Sequence, residues 1–282
     1  MLTRVGHYFL ARDEESAPME SRYLERDGYC VVKQAFTPQQ VTELKDDINR
    51  IFREEHRNGG IRSGPVNDDD MFRYGMLNRS AVCYEAIKNR NILRVIEPLI
   101  GEDCHVIANT AWRNPAGHSS STGQSWHIDA GPHIPLPEGL SWPSSIPHPV
   151  FAIGVHIFLQ DCRKEDGPTG VIPGSHLSGR FPPEEREMDD YLTYEDSYAD
   201  LILGKAGDVG MFVSDIWHRR MPATKDDQGR FFLQVHYGRR DIAQRIQPTA
   251  EVNHLSAEVK NWAVKERDRT LVGLHQKNFY DG

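Results

Sequence analysis

From residue 104 onward the chain breaks into short runs rich in β-branched and aromatic residues: CHVIAN, SWHID, VFAIGVHIFLQ, GDVGMFV and RFFLQVHYG. Gly, Pro and Asp turns separate them, the punctuation of strands in a sheet. Over 151–159 the odd positions are Phe, Ile, Val, Ile and Leu, and the even ones are Ala, Gly, His and Phe. A period of two puts one face in the core and turns the other, with His156, toward a cavity or solvent. Helical patterning comes first and the strands follow. The expected fold is therefore α+β: a double-stranded β-helix (a cupin-like jelly roll) with flanking N-terminal helices.

The N-terminal third supplies those helices. YCVV at 29–32 reads as a short strand. Thr37 is suited to an N-cap, Pro38 to the first helical position, and Gln40 completes a capping box. Val41, Leu44, Ile48 and Ile51 then recur at helical spacing, and Asn58, Gly59 and Gly60 end the pattern. A second helix is expected over 80–100, interrupted near 89–91 and stopped by Gly101. Residues 1–20 are polar and read as loosely held, and the chain reads as a single domain over 1–282. Residues 130–150 carry six prolines directly after SWHID; a stiff irregular segment of that length suggests a lid. Asp68, Asp69 and Asp70 lack the Gly and Glu of an EF-hand loop and read as a solvated turn. The C-terminal run through Leu255, Val259, Trp262 and Ala263 has helical periodicity and fits either packing on the sheet or a dimer contact.

Charge and cysteine usage exclude some classes. Thirty-three basic and 41 acidic residues give a formal net charge of −8, the wrong sign for a nucleic-acid binder. Cys30, Cys83, Cys104 and Cys162 form no CxxC pair, which fits reduced thiols better than a disulfide frame or zinc ribbon. The N-terminus shows no apolar core of signal-peptide length, and no apolar run reaches the ~20 residues that span a bilayer. The expectation is a cytoplasmic protein without a membrane or nucleic-acid partner, acting on a small-molecule substrate; its oligomeric state is not legible.

The chemistry concentrates in Trp126-His127-Ile128-Asp129 and in a distant His218. In a strand, residues i and i+2 share a face, so His127 and Asp129 would aim an imidazole and a carboxylate at one point. A third ligand from another strand completes the two-His, one-carboxylate face of non-haem Fe(II) oxygenases. The triplet by itself is equally a hydrogen-bonded His–Asp pair in a sheet. Arg230 follows His218 by twelve residues, after a Lys-Asp-Asp-Gln-Gly turn. This reads as two adjacent antiparallel strands, the first ending at His218 and the second beginning at Arg230. A guanidinium there suits the distal carboxylate of 2-oxoglutarate.

Four segments in order resemble the phytanoyl-CoA dioxygenase family of Fe(II)/2-oxoglutarate oxygenases, over roughly 22–240. They are RDGYCVVKQAFTPQQVTELKDDI, SWHIDAG, FLQDCRKEDGPTGVIPGSH and AGDVGMFVSDIWHRRMPATKDDQGR. The resemblance implies that His127, Asp129 and His218 hold iron and are the catalytic set, with 2-oxoglutarate and O2 as cosubstrates. It implies that Arg230 grips 2-oxoglutarate, with Gln124, Asn109 and Thr169 as further cosubstrate contacts. Pro173, Gly174, Ser175 and His176 match a motif that shapes a supporting turn. Related halogenases replace the carboxylate of the HxD triplet with a small residue; Asp129 is present, which argues against halogenation.

The implied reaction is hydroxylation of an unactivated C–H bond of a small organic substrate, with release of succinate and carbon dioxide. Tyr74, Met76, Arg113, His133, Trp142 and His156 are the candidate substrate-side residues. Two other classes stay open at this stage. One is a cupin-like hydrolase or isomerase using the same triad for zinc or manganese, which would have no use for Arg230. The other is a non-catalytic jelly-roll binding protein.

Overall fold

A hairpin of β1 (Thr3–Val5) and β2 (Tyr8–Ala11) precedes helix α1 (Met19–Arg26) and strand β3 (Tyr29–Val32). The computed structural model describes residues 3–5, 8–11, 17–58, 72–117, 123–143, 145–244 and 255–275, so the Asp68 to Asp70 run lies outside the described residues. Helix α2 (Pro38–Asn58) starts where its cap predicts. Thr37 N–H donates to Gln40 Oε1 at 2.9 Å, and Gln40 N–H donates back to Thr37 Oγ1 at 3.3 Å. Its stripe of Val41, Leu44, Ile48 and Ile51 is buried.

After β4 (Phe72–Tyr74), the segment expected as one interrupted helix is two, α3 (Ala81–Ala86) and α4 (Arg90–Ile100). Asn89 makes the break. Its Oδ1 accepts from Asn91 N–H at 2.8 Å, and its Nδ2 donates to Ala35 O at 2.9 Å. At the C-terminal end, α5 (Ala257–Trp262) and α6 (Glu266–Leu271) bury Leu255, Val259, Ala263 and Leu271 in the same hydrophobic core as the other helices and the large sheet. This resolves the C-terminal periodicity as packing within the chain.

The strands are β5 (His105–Asn114), β6 (Ala152–Phe158), β7 (Thr169–Val171), β8 (Asp200–Ile202), β9 (Val209–Val213), β10 (His218–Arg220) and β11 (Arg230–Gly238). A six-stranded sheet runs β3-β9-β6-β11-β5-β4, and a three-stranded one runs β10-β7-β8. The two antiparallel sheets make the jelly roll. In the large sheet the alternation holds: Ile153, Val155 and Ile157 join Leu233, Val235 and Tyr237 in the core shared with the helices. Tyr237 Oη donates to Ile87 O at 2.8 Å and ties the two layers together. The opposite face carries His156, Phe232, Gln234 and His236 into a cavity.

Two local expectations need correction. SWHID is not a strand; it touches the small sheet through a single bridge between His127 and His218. His218 begins β10 rather than ending a strand, and β10 does not neighbour β11. The reason is hydrogen-bond occupancy. Strand β11 already has β5 on one edge and β6 on the other, while β10 pairs with β7. Residues 221–229 therefore cross from the small sheet to the large one. On the way Met221 N–H donates to Pro168 O at 2.8 Å and Thr224 N–H to Glu165 O at 2.9 Å.

The described residues of 130–150 are irregular, as expected, but they do not line the cavity. They strap onto the turn after β7: Leu136 N–H donates to Gly179 O at 3.2 Å, Trp142 N–H to Leu177 O at 2.9 Å, and Arg180 Nη1 to Pro137 O at 2.8 Å. The four cysteines are free and buried. Burial pushes the Cys83 and Cys104 thiols up to about 12, which removes them from thiolate chemistry. Among the described residues no helix is long and apolar enough to cross a membrane.

Because Asn89 both caps α4 and anchors the chain to Ala35, Asn89→Ala is expected to cost about 1–2 kcal/mol. Urea unfolding should show a lower midpoint with an unchanged slope.

Candidate metal centre

The HxD segment reaches the cavity through backbone bonds on both sides of His127. His127 N–H donates to His218 O and His218 N–H donates to His127 O, both at 2.9 Å. Gln124 N–H donates to Arg220 O at 3.0 Å, and Asp129 N–H donates to Ser214 O at 3.1 Å. The segment thus runs beside β10 as an irregular outer rung of the small sheet. On the other side of β10, Ile172 N–H donates to Trp217 O at 3.0 Å, and Trp217 N–H donates to Ser175 Oγ at 2.9 Å. Ser175 belongs to the Pro173–His176 motif, whose role here is to hold the strand that carries His218. His176 in turn bonds Glu25 O through Nε2 at 3.0 Å.

The two rings are oriented alike. Nδ1 of His127 bonds Ser125 O at 2.8 Å, and Nδ1 of His218 bonds Ile216 O at 2.9 Å. A carbonyl only accepts, so each Nδ1 carries the proton and each Nε2 is left with a free lone pair. One ring nitrogen from each histidine and an Asp129 oxygen lie within 4.8 Å of one another, the only His/Cys/Asp/Glu group of three or more found so placed among the described residues. Asp129 Oδ2 is buried without a hydrogen-bond partner. A backbone-oriented pair of imidazoles beside an unsatisfied buried carboxylate oxygen is a donor set that fits a divalent cation.

Electrostatics agree. Burial pushes the Asp129 carboxyl upward, but His218 and His236 outweigh it and hold the carboxyl well below its usual range. Burial and His218 lower His127 and keep it neutral. Burial also lowers His218, yet the neighbouring Asp129 carboxylate carries it above its usual value.

Sequence reading missed His236. It sits on β11 with Nε2 3.2 Å from Asp129 Oδ2 and 2.9 Å from Gln234 Nε2. Trp112 Nε1 donates to Gln234 Oε1 at 2.7 Å, which turns the amide nitrogen toward the imidazole. Gly154 opposes His236 on β6, and a Cβ there would stand 3.1 Å from His236 Nε2. The available signal was parity: Arg230, Phe232, Gln234 and His236 all share one face of a single strand.

Of the other expected residues, Asn109, Gln124, Thr169, Arg230, Tyr74 and His156 line the same cavity, of about 360 Å³, as the triad. Asn109 Nδ2 donates to Gln234 O at 2.8 Å while its Oδ1 is buried and unpartnered. Thr169 Oγ1 lies 3.5 Å from His156 Nδ1. Burial and Arg230 push His156 well below its usual value, so it is neutral. Burial and then Arg220 push the Arg230 guanidinium down to about 9; its Nε is buried without a partner.

Four expected residues lie elsewhere. Met76 is fully buried in the hydrophobic core. Arg113 Nη1 donates to Asn49 Oδ1 at 2.8 Å, and its guanidinium covers Phe52 at 4.2 Å. His133 bonds Asp215 at 2.5 Å and stacks on Phe151. Trp142 donates to Ile146 O at 2.7 Å within the Pro-rich strap. Each is satisfied by a neighbour outside the cavity.

The family model of phytanoyl-CoA dioxygenase matches residues 24–224. Among solved structures, EctD from S. alaskensis in its apo form is similar at a TM-score of 0.64 and 18% identity, over 85% of this chain and 82% of that one. The non-haem alpha-ketoglutarate-dependent carbocyclase SnoK from nogalamycin biosynthesis gives 0.59 at 17%, over 81% and 86%. HygX from Streptomyces hygroscopicus, with nickel and 2-oxoglutarate bound, gives 0.59 at 13%, over 80% and 88%. These structures share the jelly-roll fold with this chain.

His236 Nε2 stands 3.2 Å from Asp129 Oδ2 without hydrogen-bonding it, and groups packed on a ligating carboxylate typically affect metal affinity by about 10- to 100-fold. His236→Ala is expected to weaken Mn(II) binding, measured by calorimetry, by a factor in that range while leaving the thermal midpoint of the metal-free protein nearly unchanged.

Proposed function

Because the chain belongs to the phytanoyl-CoA dioxygenase family, we propose that it is an iron(II)- and 2-oxoglutarate-dependent oxygenase that hydroxylates a C–H bond of a small organic substrate. The observation that carries this reading is the orientation of His127 and His218: both Nδ1 atoms are committed to backbone carbonyls, so both Nε2 lone pairs join Asp129 at one point. His127, Asp129 and His218 would hold the ion through three protein donors and leave room beside it for cosubstrate and O2. Bound iron and 2-oxoglutarate supply the activation of O2, with succinate and carbon dioxide as by-products.

The protein's own part is placement and charge. Arg230 offers a desolvated guanidinium to the distal carboxylate of 2-oxoglutarate, where an ion pair is worth more than in water. A hydrolytic site built on the same triad would have no use for a buried guanidinium whose Nε has no partner among the described residues. Neutral His156 and Thr169 line the space between the arginine and the triad without adding a competing charge. Tyr74, Trp112, Phe212 and Phe232 supply aromatic wall around it, and that wall is what keeps water from the reacting carbon. Since a carbocyclase shares the fold, the outcome depends on how the cavity presents the substrate carbon, and the fold alone does not dictate it.

Fe(II)-loaded protein with ascorbate and 2-oxoglutarate should release succinate, and His127→Ala and Asp129→Ala should each abolish that release. Wild-type turnover in both variants would rule out the ligand assignment. Arg230→Ala should raise the 2-oxoglutarate concentration for half-maximal succinate release by about 10-fold or more, with metal affinity unchanged.

A further inference from the structure

We infer that Arg220 is the second half of a two-guanidinium clamp, closing on the distal carboxylate of 2-oxoglutarate from the small sheet while Arg230 closes from the large one. The inference rests on the reading of Arg230 above and adds to it a residue from another strand. His218 and Arg220 are two apart on β10 and so share a face. Arg220 pairs in register with Thr169 of β7, and both line the cavity that Arg230 enters from β11.

Neither cation has an ion pair among the described residues. Nε and Nη2 of Arg220 and Nε of Arg230 are buried with no hydrogen-bond partner among the described residues. Among the described residues Asp129 is the only carboxylate lining the cavity, and it belongs to the metal end. The acids whose charge reaches the pair are engaged elsewhere. Asp166 holds Arg163 at 2.8 Å and Gln228 N–H at 2.8 Å, and Asp227 accepts from Gly229 N–H at 2.6 Å. The local backbone also makes room for Arg220: a Cβ on Gly167 would stand 3.3 Å from its Nε.

Two unpaired guanidiniums held in one poorly hydrated space repel each other and forfeit hydration. That arrangement is costly when empty and is relieved by one anion between them. A carboxylate has about four lone-pair sites, enough to accept from both forks. The clamp also explains why one cavity wall carries charge from both sheets: an anion bound between them ties the sheets together at the end remote from the metal.

The test uses the full chain loaded with Mn(II) under anaerobic conditions. Calorimetry would follow 2-oxoglutarate and 2-oxobutyrate, which keeps the 2-oxo acid head but lacks the distal carboxylate, on wild type, Arg220→Gln, Arg220→Lys and Arg230→Gln. Arg220→Gln should weaken 2-oxoglutarate about 10- to 100-fold, with Arg220→Lys losing less. Binding of 2-oxobutyrate should stay within about 2-fold of wild type, because only the distal carboxylate is concerned. Removing an unpaired buried charge should leave the melting temperature of ligand-free Arg220→Gln equal to or above wild type. Wild-type 2-oxoglutarate affinity in Arg220→Gln, beside a loss in Arg230→Gln, overturns the clamp and leaves the Arg230 reading standing. An unchanged Arg230→Gln overturns both. Parallel loss of 2-oxobutyrate binding or a lowered melting temperature in Arg220→Gln would make Arg220 structural and also overturn the clamp.

Discussion

The reciprocal backbone pair between His127 and His218, two N–H···O bonds of 2.9 Å, is the constraint on which the rest of the site depends. It sews an irregular segment to the edge of the small sheet and brings two residues 91 apart in sequence into direct opposition. The bonds from each ring to the carbonyl two residues earlier then set both imidazoles the same way. Position and tautomer therefore come from the main chain and not from side-chain packing. Such a site holds its geometry without the ion, because backbone bonds lose little by waiting for a ligand.

The cavity is polarised along its length. Its lining combines a carboxylate and two imidazole lone pairs with two guanidiniums that have no ion pair among the described residues, and the neutral His156. That layout is suited to a molecule that chelates a cation through one end and presents an anion at the other. It also accounts for the burial pattern of β11, which contributes Arg230 to one end and His236 to the other while its alternate residues pack on the helices. A single strand with period two serves core and site at once. Chemistry on one face is therefore coupled to packing on the other, and the helix layer that holds Tyr237 indirectly holds His236.

Several features were legible because their cause is local. The Thr37 and Gln40 box, the stripe on α2, the break at Asn89 and the alternation around His156 depend on residues a few positions apart, and all appear in the structure as the sequence predicts. The reading of β10 and β11 as neighbours failed because pairing depends on which strand edges are already occupied, a property of the whole sheet. The Pro-rich segment was correctly read as irregular. Its position was not legible, since the atoms that fix it, Gly179 O, Leu177 O and the Arg180 guanidinium, belong to a turn some forty residues away. Met76, Arg113, His133 and Trp142 have plausible chemistry for a substrate site, but each is claimed by a neighbour that no spacing rule reveals.

The amino-acid sequence by itself determined the helix-then-strand layer architecture, the capped start of α2 and the identity of the family, because periodicity, capping and ordered motifs act over short distances along the chain. Only the tertiary structure decided which groups meet in the cavity: that His236 stands beside Asp129, that Arg220 faces the same space as Arg230, and that the described residues of the Pro-rich segment bond to the turn after β7. The reason is that lone pairs and charges interact through space over a few ångströms, and strand pairing, not sequence separation, sets those distances.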